Sequence, residues 1–201
     1  MITILLILAN LVVSLIAFSA FRQRRTDDRF LFIPAQVATG QNLKGMVLSH
    51  FSHADVGHLF FNMLTLYFFA PVVEQILGSF ELLVIYCLSG VAATLLTFVM
   101  HRNNPRYRAL GASGSVSGVI LAAIVLYPSM SLYLFFLPIP IPGPVFAIGY
   151  IVISFFLARR QVGNIGHDAH IGGALAGLLL GAFLSPLGFG PLLQAFRELI
   201  P

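Results

Sequence analysis

The sequence predicts an all-α membrane protein, six transmembrane helices packed as one bundle.

 

Three observations carry that prediction. Of the 201 residues, 58% are hydrophobic and only 9% charged, against about 25% charged in a water-soluble domain. The mean hydropathy is +0.94. Apolar runs also recur along the chain, each bounded by polar residues, glycine or proline. A chain so poor in charge must hide most of its surface in lipid. All 201 residues read as a single multi-pass domain of a cell (inner) membrane.

The first run, residues 2–21, ends at Arg22, Arg24 and Arg25. It begins without a basic region and lacks a convincing cleavage site, so it reads as a retained helix. Residues 57–77 and 80–100 form the second and third spans, the latter closed by His101-Arg102-Asn103-Asn104-Pro105. The fourth, 113–127, stops at Pro128. Residues 144–157 and 169–184 complete the set. Several fall short of the roughly 20 residues that cross about 30 Å of hydrocarbon, a mismatch that inner helices of a bundle tolerate. Residues 21–56 are too many for a minimal connector and are expected to hold an embedded loop or short helices. Residues 131–142 carry Pro138, Pro140 and Pro142. They cannot form a regular helix and read as an extended loop packed on the bundle.

Six crossings put both termini on one side and the starts of spans two, four and six on the other. His58 and Asn62 lie at the start of the second span, Ser113 at the start of the fourth, and His170 at the start of the sixth. Residues 113–127 make about 15 residues of helix, roughly 22 Å long at about 1.5 Å per residue. Residues 170–184 are similar. The serine and the imidazole are therefore expected at one end of the bundle and at matching depth.

Polar side chains at that depth are costly and tend to be functional. In Gly111-Ala112-Ser113-Gly114 the two glycines permit a tight turn into a helix. The first N–H groups of that helix have no partner within it and can receive an oxyanion. The plainer reading of Ser113 is a helix cap. His170 is the evident base at the same depth; its plainer reading is an interhelical hydrogen bond. Asp168, two residues earlier, would point away from His170 and reads as a loop or cap residue, which leaves a Ser–His pair without an acid. His58 and Asn62 are four apart and share a helix face, either as a packing pair or as oxyanion donors. Gly173, Gly177 and Gly181 put small residues on one face of the sixth span, where a neighbouring backbone can come close and bring His170 to Ser113. His53 is a candidate tether for the embedded loop.

Other classes fit poorly. The net charge of +4 comes from few residues, so a nucleic-acid groove is not expected. Cys87 is the only cysteine, which excludes an intrachain disulfide and a cysteine metal cluster. There is no His-Glu-x-x-His, and the groups His50, His53, His58 and His167, Asp168, His170 lack a fixed ligand spacing, so no metal is expected. An aspartyl mechanism needs two intramembrane carboxylates, and the seven acids lie mostly in loops. A transporter predicts internal repeats, and none is visible.

These motifs resemble the rhomboid family of intramembrane serine proteases. The resemblance runs through Phe51-Ser52-His53-Ala54-Asp55-Val56-Gly57-His58-Leu59-Phe60-Phe61-Asn62-Met63, Ser89-Gly90, and Gly111-Ala112-Ser113-Gly114. It continues through the proline-containing stretch 135–142 and Ala169-His170-Ile171-Gly172-Gly173-Ala174-Leu175-Ala176-Gly177. It implies a minimal six-helix core of bacterial type, with a Ser113–His170 dyad that needs no acid and with His58 and Asn62 at the oxyanion. It also implies cleavage of transmembrane protein substrates near helix-breaking, small-residue sites, through an acyl-enzyme and with no cofactor. Two departures stand out. Many relatives carry an aromatic residue four positions after the nucleophile to support the imidazole; here that position is Ser117, so another ring, one of the 19 phenylalanines, is expected there. The Trp-Arg pair of the first long loop is absent, and Lys44 is the only base nearby. A non-catalytic membrane protein that binds unstable helices in the same cavity is the alternative; retention of both Ser113 and His170 counts against it. Orientation stays open. Arg22, Arg24, Arg25, Arg29, Lys44, Arg102, Arg106, Arg108, Arg159 and Arg160 fall at the active-site end and Arg197 opposite, which favours a cytoplasmic site, whereas bacterial relatives usually open away from the cytoplasm.

Overall fold

The computed structural model describes residues 2–23, 27–134, 137–160 and 166–199. In chain order the elements are α1 (Ile2–Gln23), a 3-10 turn (Asp28–Phe30), α2 (Pro34–Val37), α3 (Leu43–Leu48), α4 (Val56–Ile76), α5 (Ser79–His101) and α6 (Ser113–Leu126). A hairpin of β1 (Ser131–Leu134) and β2 (Leu137–Pro142) follows, then α7 (Gly143–Arg160), α8 (His167–Leu184) and α9 (Gly190–Leu199). The six segments read from the sequence are α1, α4, α5, α6, α7 and α8, with ends moved by at most three residues. Helices α1, α4, α5 and α8 are long and apolar enough to cross a membrane, and α6 and α7 are shorter apolar helices. The outer surface presents large apolar side chains such as Leu15, Phe68, Phe80, Val99 and Phe183. Lipid is the solvent that suits such a surface. The chain is an all-α, multi-pass membrane bundle.

Helix α6 is its axis. Every residue from Gly114 to Val125 is buried, as expected of a helix that is apolar on all sides. Helices α4, α5 and α8 surround it, and α7 and α9 touch it. The tightest packing is against α8. A methyl group on Gly173 would run into the Gly114 carbonyl, and one on Gly177 into the backbone of Gly118. One on Gly181 would sit 2.9 Å from the Ala122 Cα. On its other side, a methyl on Gly172 would lie 2.7 Å from the Ala92 carbonyl oxygen of α5. Helix α8 is thus wedged between two backbones.

The long first connector forms short helices, as its length implied, and lies across the same end of the bundle as the start of α6. Phe32 and Ala109 exchange backbone hydrogen bonds of 2.8 and 3.0 Å, which ties the connector to the loop entering α6. The Ser52 hydroxyl donates to the Phe30 carbonyl at 2.7 Å. The Ser14 hydroxyl of α1 donates to the Phe51 carbonyl at 3.0 Å and lies 2.8 Å from His53 Nδ1. His53 is fully buried, so it does tether connector to bundle.

Three local readings need correction. Residues 131–134 and 137–142 pair as antiparallel strands, with Ser131 opposite Pro142 and Leu132 opposite Ile141, rather than forming an extended loop. Proline at every second position removes N–H groups from one edge of β2 only, and the other edge still pairs. Asp168 lies within the first turn of α8, where a carboxylate suits the unpaired N–H groups; it is not a loop residue. Helix α9 was not foreseen, although Leu192, Phe196 and Leu199 mark one face, with Leu192 buried. Arg24, Arg25 and Phe135 lie outside the described residues.

Two outcomes follow from this packing. Gly177→Val forces α6 and α8 apart and should destabilise the folded protein by about 1–3 kcal/mol, the usual cost of overpacking; an unchanged unfolding midpoint in detergent would contradict it. Burial, and His58 beside it, hold the His53 pKa down to about 4 from its ordinary 6.5. Between pH 6.5 and 4 the unfolded chain therefore takes up a proton that the folded protein refuses, so stability present above pH 6.5 is lost as the pH falls. Thermal unfolding across that window should show the loss in the wild type and a smaller one in His53→Gln. Equal pH dependence in both would show that His53 is not responsible.

Candidate active site

The site begins at a turn only glycine makes easily. Gly111 has φ +127°, a region that side chains with a Cβ avoid. A Cβ there would also lie 2.6 Å from His58 Cε1. The Gly111 N–H donates to the Ser49 carbonyl at 2.8 Å, fixing the turn to the connector. The chain then enters α6 through Ala112, with no side chain capping the helix start. The first N–H groups of α6 are thus left open, with Ser113 as its first residue.

His170 stands one turn into α8, and its Nε2 lies 2.8 Å from Ser113 Oγ. Two groups 57 positions apart in the sequence share a hydrogen bond. Beside them is a cavity of about 640 Å³ whose walls include Ser113, Gly114, His50, His58, His167 and Asp168. The close approach that brings the two groups together is made at Gly114 and Gly173, directly behind the pair.

Other sequence candidates are placed differently. His58 lines the cavity, its ring against Gly111 and edge-on to His53 at 5.0 Å. Asn62 is buried one turn further along α4, and its amide donates to the His58 carbonyl at 3.1 Å. It is not among the residues that line the cavity. His50 Nε2 lies 2.6 Å from Thr94 Oγ1, whose proton goes to the Gly90 carbonyl at 3.0 Å. The ring nitrogen is therefore the donor in that pair. Burial lowers the His50 pKa, in keeping with a neutral ring.

The rings around His170 include one that the sequence reading did not find. Tyr150 of α7 lies near-parallel to the imidazole, with centroids 6.4 Å apart and planes at 26°. Its hydroxyl is 2.6 Å from Ser117 Oγ, and Ser117 Oγ donates to the Ser113 carbonyl at 2.6 Å. The ring beside His170 is thus a tyrosine rather than one of the phenylalanines, and its hydroxyl answers the serine at position 117. A tyrosine within an apolar span, which needs a polar partner, was the available signal. Phe146 stacks on Tyr150 at 5.8 Å. His167 meets the His170 ring edge-on at 5.8 Å.

Asp168 is buried and turned towards other partners. The Tyr107 hydroxyl donates to its Oδ1 at 3.3 Å, and His101 Nε2 lies 3.5 Å from its Oδ2. The His101 and Tyr107 rings stack at 3.7 Å. Burial and the neighbouring carboxylate raise the Tyr107 pKa, so its hydroxyl stays protonated as a donor. The carboxylate therefore joins the end of α5 and the following loop to the start of α8. Among the described residues, no three His, Cys, Asp or Glu side chains converge as a set that could hold a metal ion.

Residues 40–187 match the model of the Rhomboid domain. RHOMBOID-like protein 12, mitochondrial, of Arabidopsis thaliana is 31% identical over 186 residues, covering 84% of this chain and 54% of that protein. Presenilin-associated rhomboid-like protein A, mitochondrial, of Danio rerio is 34% identical over 156 residues, covering 75% and 40%. Presenilin-associated rhomboid-like protein, mitochondrial, of Bos taurus is 33% identical over 140 residues, covering 66% and 36%. The chain spans about half or less of the length of these relatives. With a Rhomboid-domain match over most of its length and a bundle to house it, the chain belongs to the rhomboid family.

Proposed function

We propose that this protein is an intramembrane serine endopeptidase that cleaves transmembrane segments of protein substrates. The observation that carries the reading is the 2.8 Å contact between His170 Nε2 and Ser113 Oγ beside a cavity at the uncapped start of α6. With its proton on Nδ1, the imidazole accepts the Ser113 proton on Nε2 as Oγ attacks the peptide carbonyl carbon. The carbonyl π electrons move to oxygen, and the resulting oxyanion is met by the Ser113 N–H, the His58 ring and the Asn62 amide. Asn62 lies one turn along α4 from His58 and outside the cavity lining, so it would act only by turning in the second N–H of an amide whose first is given to the His58 carbonyl. Collapse breaks the C–N bond, and His170 returns its proton to the leaving amine. Water then attacks the acyl-enzyme with His170 again as base, releasing a carboxylic acid and restoring Ser113.

Asp168 takes no part in these steps, because Tyr107 and His101 occupy it. The reading includes no metal or organic cofactor. The six apolar helices support a minimal core of bacterial type in a cell inner membrane; the mitochondrial names of the matched relatives make an organellar membrane the second reading.

Reconstituted wild-type protein should cut a transmembrane substrate, and Ser113→Ala should lower the rate by at least about 10³-fold. His58→Ala should lower kcat by about 10²–10³-fold, as for loss of one oxyanion donor. Equal cleavage by wild type and Ser113→Ala would overturn the assignment; binding of the substrate without cleavage would favour a non-catalytic receptor for unstable helices.

A further inference from the structure

We propose that Tyr150 is a positioning residue for the His170 imidazole, held in place by its hydrogen bond to Ser117 on the helix that carries Ser113. The proposal rests on the Ser–His reading given above.

A base of this kind must keep Nε2 directed at the serine oxygen while its ring remains free to take and give a proton. The nearest carboxylate does not orient it, since Asp168 is occupied by Tyr107 and His101. Packing must then set the angle of the ring. Tyr150 offers a near-parallel face at 6.4 Å, within the range of offset aromatic pairs.

The position of Tyr150 is itself fixed. Ser117 gives its only proton to the Ser113 carbonyl, so the Tyr150 hydroxyl is the donor to Ser117 Oγ. An unpaired phenol in an apolar span would be unfavourable, and Ser117 is the partner that satisfies it. Phe146, one turn earlier on α7, stacks on the ring at 5.8 Å.

These contacts close a circuit across three helices. It runs from the Ser113 carbonyl to Ser117, from Ser117 to the Tyr150 hydroxyl, from the Tyr150 ring to the His170 ring, and from Nε2 back to Ser113 Oγ. Serine and base are thus referred to one another twice, once directly and once through α7. Ser117 lies one helical turn below the nucleophile, so its hydroxyl moves with Ser113 rather than independently of it. A shift of α7 would be felt at the imidazole.

The test compares kinetics with the exposure of the ring. Tyr150→Leu should lower kcat by about 10- to 100-fold, the scale of a small misplacement of a reacting group, with KM changed little. Tyr150→Phe keeps the ring and volume and should lose less. Ser117→Ala breaks the same bond from the other side, so Ser117→Ala/Tyr150→Phe should be no slower than the slower single variant. The rate at which diethyl pyrocarbonate modifies His170, read by peptide mass, should rise in Tyr150→Leu and stay near wild type in Tyr150→Phe. Wild-type kcat and modification rate in Tyr150→Leu would overturn the proposal, as would additive losses at Ser117 and Tyr150. If wild type and Ser113→Ala cleave equally, the Ser–His reading fails, and the modification rates alone decide whether Tyr150 restrains the ring.

Discussion

Everything at the site depends on how closely α6 and α8 approach. In lipid the helices gain little from hiding apolar surface from one another, so close van der Waals contact must hold them. Gly173 and Gly177 supply it by leaving room for the backbones of Gly114 and Gly118. Because the contact begins at the residue after Ser113 and one turn after His170, it fixes the separation of the two side chains as well as the bundle. Ser113 and His170 meet at 2.8 Å because nothing larger than hydrogen stands between the helices behind them.

Around that contact, several polar groups of this end have partners that join separate elements, while His53 Nε2, Thr97 Oγ1 and Asp168 Oδ2 make no hydrogen bond among the described residues. Ser14 links α1 to the connector through Phe51 and His53. Thr94 links α5 to His50. Asp168 links the start of α8 to the loop after α5. Each bond satisfies a group that would be unfavourable in an apolar setting, and each also limits movement near the cavity. The polar end of the bundle is held by these bonds, and the apolar remainder by packing.

Much of this was legible in the sequence. Hydropathy and punctuation located the six spans, because lipid imposes a length and composition on each. Counting crossings then put Ser113 and His170 at one end and one depth, and the spacing of Gly173, Gly177 and Gly181 showed which face of α8 comes close. Contacts between elements without a shared period were not legible. Tyr150 could be read as one more aromatic residue of an apolar helix until its hydroxyl was seen against Ser117. Asp168 was placed by periodicity away from His170, and so it is, yet its burial beside Tyr107 and His101 depends on a loop that sequence spacing does not locate. The alternating prolines of β2 excluded a helix but did not show that their free edge would pair with β1.

The central claim is that His170 activates Ser113. The most direct measurement is the rate at which a fluorophosphonate forms a covalent adduct with the folded protein, with the modified residue identified by mass spectrometry. A single adduct on Ser113, forming at least about 10³-fold more slowly in His170→Ala, is the predicted result. Modification at another serine, or an equal rate with and without the imidazole, would contradict it.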